Sequence, residues 1–148
     1  MTLKQLSVFL ENRPGRISIP CRALAEAGLS IRTLSLADTQ QFGILRLIVL
    51  DWERAKDILE RAGCVVKVTE VVAVEVADRA GGLQEVLDVC DAAGLNIEYM
   101  YAFTFGRADR AVLVFCFEDP DAAVAALGNA GINVVGPVHL NGQQDPPA

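Results

Sequence analysis

Apolar and polar positions along the chain change period in a fixed order, and that order runs twice. Residues 3–10 read as a strand, 16–27 carry a helical period, and 30–38 and 43–50 read as strands. Residues 53–62 then predict a second helix and 65–70 a closing strand. The second run predicts strands at 72–77, 96–105, 111–117 and 134–138, with helices at 83–93 and 122–130. Each run is βαββαβ, so the expected class is α+β, two ferredoxin-like units in tandem, each an antiparallel sheet with helices on one face. The expected domains are 1–71 and 72–140, followed by a polar, Pro-containing tail at 141–148 that reads as disordered.

The two runs are also alike residue by residue. Asn12-Arg13-Pro14-Gly15 returns 66 residues on as Asp78-Arg79-Ala80-Gly81, and Ala27-Gly28-Leu29-Ser30-Ile31 returns as Ala93-Gly94-Leu95-Asn96-Ile97. Ala62-Gly63 returns 68 residues on as Ala130-Gly131, which places two extra residues between the middle strands of the second copy. A constant period with drift in one loop is the mark of a duplicated folded unit. Gly28, Gly63, Gly94 and Gly131 are expected to stop the four helices in the left-handed conformation. Asp119-Pro120-Asp121 marks the start of the last helix, with Asp119 or Asp121 as cap and Pro120 in the first turn. Pro20 conflicts with a helix beginning near Gly15, because it has no N–H for the Arg16 carbonyl; either the helix starts later or it is distorted.

Residues 44–50 and 111–117 are almost continuously apolar, whereas a sheet covered on one face alternates. Their outer faces therefore need cover, from the sister unit or from a second chain. Tyr99, Tyr101, Phe103 and Phe105 share one strand face and are read as packing residues before pocket walls. Units of about 70 residues have small cores. With 52% hydrophobic residues and a mean hydropathy of +0.33, association into a homodimer is expected.

Charge and cysteine content remove several classes. A net charge of −6 and scattered basic residues argue against nucleic acid. No stretch reaches the ~18 apolar residues of a membrane helix and no signal core opens the chain, so the expectation is a cytoplasmic protein without a membrane partner. Cys21, Cys64, Cys90 and Cys116 form no CxxC pair, and the single His139 lies near the tail, so neither metal nor cofactor is expected. Cys90 aligns with Leu24 and Cys21 with Leu87, which makes them small core hydrophobes. Paired carboxylates and Ser/His/Asp or Cys/His sets are missing, so no catalytic residue is assigned.

The remaining chemistry lies in the first loop of each copy. Gly15 admits a close approach to the main chain, and the N–H groups of Gly15, Arg16 and Ile17 stand at a helix start that favours a carboxylate. Asn12 adds a carbonyl for an ammonium group. In copy two the corresponding residues are Asp78, Gly81, Gly82 and Leu83. Asn12 and Asp78 could equally be ordinary helix caps.

Asn12-Arg13-Pro14-Gly15, a helix, and Ala27-Gly28-Leu29-Ser30-Ile31 together resemble the ACT domain, and the resemblance covers residues 3 to 139 across both copies. It implies a module that binds amino acids at domain or subunit interfaces and regulates metabolic enzymes. The same Glu-Asn-Arg-Pro-Gly loop occurs in the serine-sensing domain of phosphoglycerate dehydrogenase. By that likeness the ligand contacts fall to Asn12, Pro14, Gly15 and Ser30 in copy one, and to Asp78, Ala80, Gly81 and Asn96 in copy two. The histidine that precedes the pair in that relative is Leu10 here. Twofold packing of the copies would pair Asn12 with Asn96 and Asp78 with Ser30. The resulting expectation is a non-catalytic sensor of an amino acid or small carboxylate that acts on a separate metabolic enzyme. The competing readings are a ligand-free interaction subunit and an acylphosphatase-like enzyme using Arg13, Arg16 and Arg79.

Overall fold

A computed structural model describes residues 1–38, 41–103 and 109–137. In chain order its elements are β1 (Leu3–Glu11), α1 (Ser18–Glu26), β2 (Thr33–Asp38), β3 (Phe42–Ile48), α2 (Trp52–Arg61) and β4 (Val65–Ala77). They continue with α3 (Gly82–Ala92), β5 (Ile97–Ala102), β6 (Arg110–Phe117), α4 (Pro120–Asn129) and β7 (Asn133–Val135). The expected tail, His139, Phe105 and Val138 lie outside the described residues, and the last strand, expected at 134–138, ends at Val135, before Gly136 and Pro137.

The chain divides into two compact units, Lys4–Thr69 and Met1–Leu3 with the residues from Glu70 on. In the first, the strand order is β2-β3-β1-β4, all the β1–β3 and β2–β3 pairs being antiparallel. In the second, β5 pairs β6, β6 pairs β4 and β4 pairs β7, giving the same order from edge to edge. Both are the antiparallel βαββαβ arrangement expected. Their cores correspond as well: Leu6, Val8, Leu45 and Leu47 meet Leu24 and Leu59 in the first, and Val72, Val74, Phe115 and Phe117 meet Cys90 and Leu127 in the second. Cys90 thus occupies the core site held by Leu24 in the other copy.

One boundary differs from expectation. The two strands predicted at 65–70 and 72–77 are a single 13-residue strand, β4. Its sequence contains seven valines and neither Gly nor Pro, so nothing local interrupts the extended backbone. It closes the first unit and opens the second.

The helix boundaries explain the Pro20 conflict. α1 starts at Ser18, two residues later than Gly82 of α3 would place it by the 66-residue offset. Pro20 is then the third helical residue, where its missing N–H leaves no bond within the helix unmade. All four expected stop glycines have positive φ, between 65° and 87°.

The apolar strand runs are buried on both faces. In β6, Phe115 and Phe117 face the helices, yet Val114 and Cys116 on the opposite face are 0% and 3% exposed. Polar side chains share such burial: Gln5 is fully buried and its amide donates to the Ser7 hydroxyl at 3.1 Å. On β5, Tyr99 and Tyr101 are half-buried and Phe103 that follows is buried.

Candidate functional site

The two first loops share one backbone framework. The Asn12 N–H donates to the Gln41 carbonyl, Arg13 to Glu11 and Arg16 to Arg13, at 3.0, 2.9 and 3.3 Å. In the second copy Asp78 donates to Asp109, Arg79 to Ala77 and Gly82 to Arg79, at 2.6, 2.9 and 3.1 Å. Gly15 and Gly81 sit at the left-handed turn with φ of 83° and 87°, a conformation that a Cβ disfavours.

Capping does not account for Asn12 or Asp78. α2 and α4 are capped by Asp51 and Asp119, whose carboxylates accept from the Arg54 and Ala122 N–H groups. α1 and α3 begin at Ile17 and Gly81 with no side-chain cap at all. Asn12 instead donates its amide to the Asp38 carboxylate at 3.3 Å. That bond turns the side-chain carbonyl into the atom left over, and the carbonyl has no partner among the described residues. Asp38 was not anticipated from sequence, because it lies 26 residues away at the end of β2.

The side chains around the shared framework differ. In the first loop Arg13 pairs with Glu11, while the half-buried Arg16 has no ion-pair partner among the described residues. The Gly15 and Ile17 N–H groups also lack a partner there. Arg13, Pro14, Gly15 and Arg16 line an open depression of about 410 Å³. In the second loop Arg79 pairs with Glu85 and donates to the Ala80 carbonyl at 3.2 Å. Gly82 stands where Arg16 stands in copy one, and a Cβ there would lie 2.0 Å from the Ala77 carbonyl oxygen. No side chain fits that position, so the second loop cannot carry the cation.

Ser30 and Asn96 are exposed and follow the C-terminal ends of α1 and α3. The nine residues of α1 separate Ser30 from the Asn12–Ile17 loop by about 13 Å of helix, and the eleven of α3 separate Asn96 from its own loop by about 16 Å. Neither unit brings its own loop and turn together. Leu83 is exposed in the first turn of α3, and Gly81 forms its N-cap.

A second cavity, of about 230 Å³, also borders Arg16. Phe9 and Leu10 from the end of β1, Ile19 from α1 and Cys64 after α2 form its apolar wall, with Glu11. Burial pushes the Cys64 thiol above its ordinary range, which keeps it neutral. Cys64 reaches this wall because it directly follows Gly63, the left-handed stop of α2. Among the described residues no group of three or more His, Cys, Asp or Glu is placed to hold a metal ion. No described helix is long and apolar enough to cross a membrane.

Comparison with known proteins gives the same frame. A family profile described as an ACT domain pair matches residues 1–136. The chain is similar to a Bacteroides thetaiotaomicron protein of known crystal structure, 33% identical, with 95% of this chain and 96% of that one covered and a TM-score of 0.88. It is similar in fold to the regulatory subunit of aspartate kinase from Thermus thermophilus, at 17% identity, 86% and 91% coverage and a TM-score of 0.59. The corresponding subunit from Thermus flavus is also 17% identical, with coverage of 86% and 92% and a TM-score of 0.60. No curated protein sequence matches the chain.

Proposed function

The chain belongs to the family of ACT domain pairs, and from that premise we propose that it is a non-catalytic regulatory sensor, binding an amino acid or related small carboxylate and passing its occupancy to a separate metabolic enzyme. The observation that carries this reading is the first loop: Arg16, with no ion-pair partner among the described residues, lines an open depression, and the nearby Asn12 carbonyl has no partner among the described residues either. A carboxylate and an ammonium group are the complements of those two atoms. Regulatory subunits of aspartate kinase share the fold, which supports the regulatory role by likeness of architecture alone.

The site is read as Asn12, Pro14, Gly15, Arg16 and Ile17, with Ser30 and Asn96 kept as further proposed ligand contacts. The second loop, with Asp78, Gly81, Gly82 and Leu83, is proposed as a weaker site, since Asp78 repels a carboxylate and the adjacent Arg79 is taken up by Glu85. Self-association into a homodimer is part of the proposal: edge strand β2 leaves Leu34 and Leu36 exposed at 44% and 53%. A cytoplasmic setting with neither nucleic acid nor membrane as partner follows from the charge and hydropathy pattern.

A thermal-shift screen of the twenty amino acids tests the reading, because a ligand that binds only the folded state raises its midpoint. The expected result is stabilisation by at least one amino acid, reduced in Asn12→Ala. If none of the twenty stabilises the chain, the sensor reading is wrong.

A further inference from the structure

We propose that the amino acid held by the first loop is one with an aliphatic or aromatic side chain, and that the cavity walled by Leu10, Ile19 and Cys64 receives that side chain. This rests on the amino-acid reading of the loop and adds the class of ligand to it. The two cavities of the first unit share Arg16. A carboxylate bound to that guanidinium therefore stands at the border of both. Glu11, on the same lining, is held by its pair with Arg13, so the ammonium group is left to the Asn12 carbonyl.

The wall decides what lies beyond the head group. Leu10 is half-buried and also packs on the core of its unit, so its position is set by the fold and not by a ligand. Ile19 is 40% exposed in the first turn of α1, an apolar side chain at a mouth where solvent alone would favour a polar one. The Cys64 thiol stays protonated through burial and adds no charge. A volume of about 230 Å³ corresponds to seven or eight water molecules at roughly 30 Å³ each, room for the side chain of leucine or phenylalanine.

Copy two makes the contrast internal to the molecule. Its counterparts of Leu10, Ile19 and Cys64 are Val76, Glu85 and Ile132. Glu85 is bound to Arg79, so a charged pair occupies the place of the Ile19 wall. Among the described residues, apolar side chains beside an arginine with no ion-pair partner thus occur at the first loop and not at the second.

The test is calorimetric titration of the full chain with L-leucine, L-phenylalanine and L-serine, repeated in Ile19→Glu and Arg16→Ala. Expected is at least tenfold tighter binding of leucine or phenylalanine than of serine, a scale set by burying a few methylene groups in an apolar pocket. Ile19→Glu should remove that preference, lowering leucine affinity at least tenfold while serine changes less than threefold. Arg16→Ala should weaken whatever binds, irrespective of side chain. Serine binding as tightly as leucine, or an Ile19→Glu variant that keeps its leucine preference, overturns the inference and leaves the sensor reading standing. Failure of all three to bind, while another polar amino acid stabilises the chain, overturns the inference in the same way. Failure of every amino acid overturns both.

Discussion

The two first loops use the same three backbone hydrogen bonds and the same left-handed glycine, yet they offer a ligand different things. In copy one the arginine after the glycine has no ion-pair partner among the described residues and borders two cavities. In copy two that position is a glycine pressed against the Ala77 carbonyl, and the remaining arginine is occupied by Glu85. Duplication preserved the framework because the turn and the strand pairing need it. It left the side chains free to diverge, since they contribute little to holding the loop. A repeat unit can therefore keep its fold and lose its site in a few substitutions.

Exchanging the residue after the glycine breaks the comparison most sharply. Gly82→Arg should cost about 3 kcal/mol or more, because its Cβ meets backbone that cannot yield without moving β4 or α3. Arg16→Gly should change stability far less. Urea unfolding of both variants measures this, and a fully stable Gly82→Arg would show that the second loop could carry the cation after all.

Binding should separate the loops next. Loss of one hydrogen bond to a charged group costs about 1.5 to 3 kcal/mol, so Asn12→Ala should weaken the best ligand of the amino-acid screen roughly ten- to a hundredfold. Asp78→Ala should do less. Equal losses in titration would mean two equivalent sites, and no loss in Asn12→Ala would move the pocket elsewhere.

A smaller contrast lies in pH. Burial raises the Cys64 thiol, so its protonated form is favoured in the folded state. The sign follows: the stability it contributes is fully present below the ordinary thiol range and is lost as pH climbs through the raised value. Copy two has Ile132 at this place, and Cys64→Ile should flatten the alkaline decline seen in thermal midpoints. An identical decline in the variant would assign it to another group. The smallest effect is expected for Arg79→Ala. Its pair with Glu85 is solvent-exposed, so stability should change by less than about 1 kcal/mol and ligand affinity should stay as it was. A large loss of affinity there would place a ligand in the second loop.

Much of the molecule was legible from local pattern. The helical and strand periods, the stop glycines and the Asp119 cap all act within a few residues, and each appears in the structure within two or three residues of the expected place. Pro20 correctly signalled that α1 starts late. The break expected between 70 and 72 did not occur, because a unit boundary inferred from repeat spacing carries no energetic cost that would interrupt a valine-rich strand. Cap readings of Asn12 and Asp78 also failed, since a cap is defined by where the helix begins, and α1 begins only at Ser18.

The sequence by itself determined the duplication, the βαββαβ order of each unit and the shared turn of the two first loops, because periodicity, turn propensity and helix signals are short-range forces. Tertiary structure alone decided which polar atoms of those loops remain unpaired. Asp38 takes the Asn12 amide from 26 residues away, Cys64 arrives at the cavity wall from beyond α2, and Ala77 forbids a side chain at Gly82. Each of these depends on distances between elements remote in sequence, and the period of a chain contains no such distances.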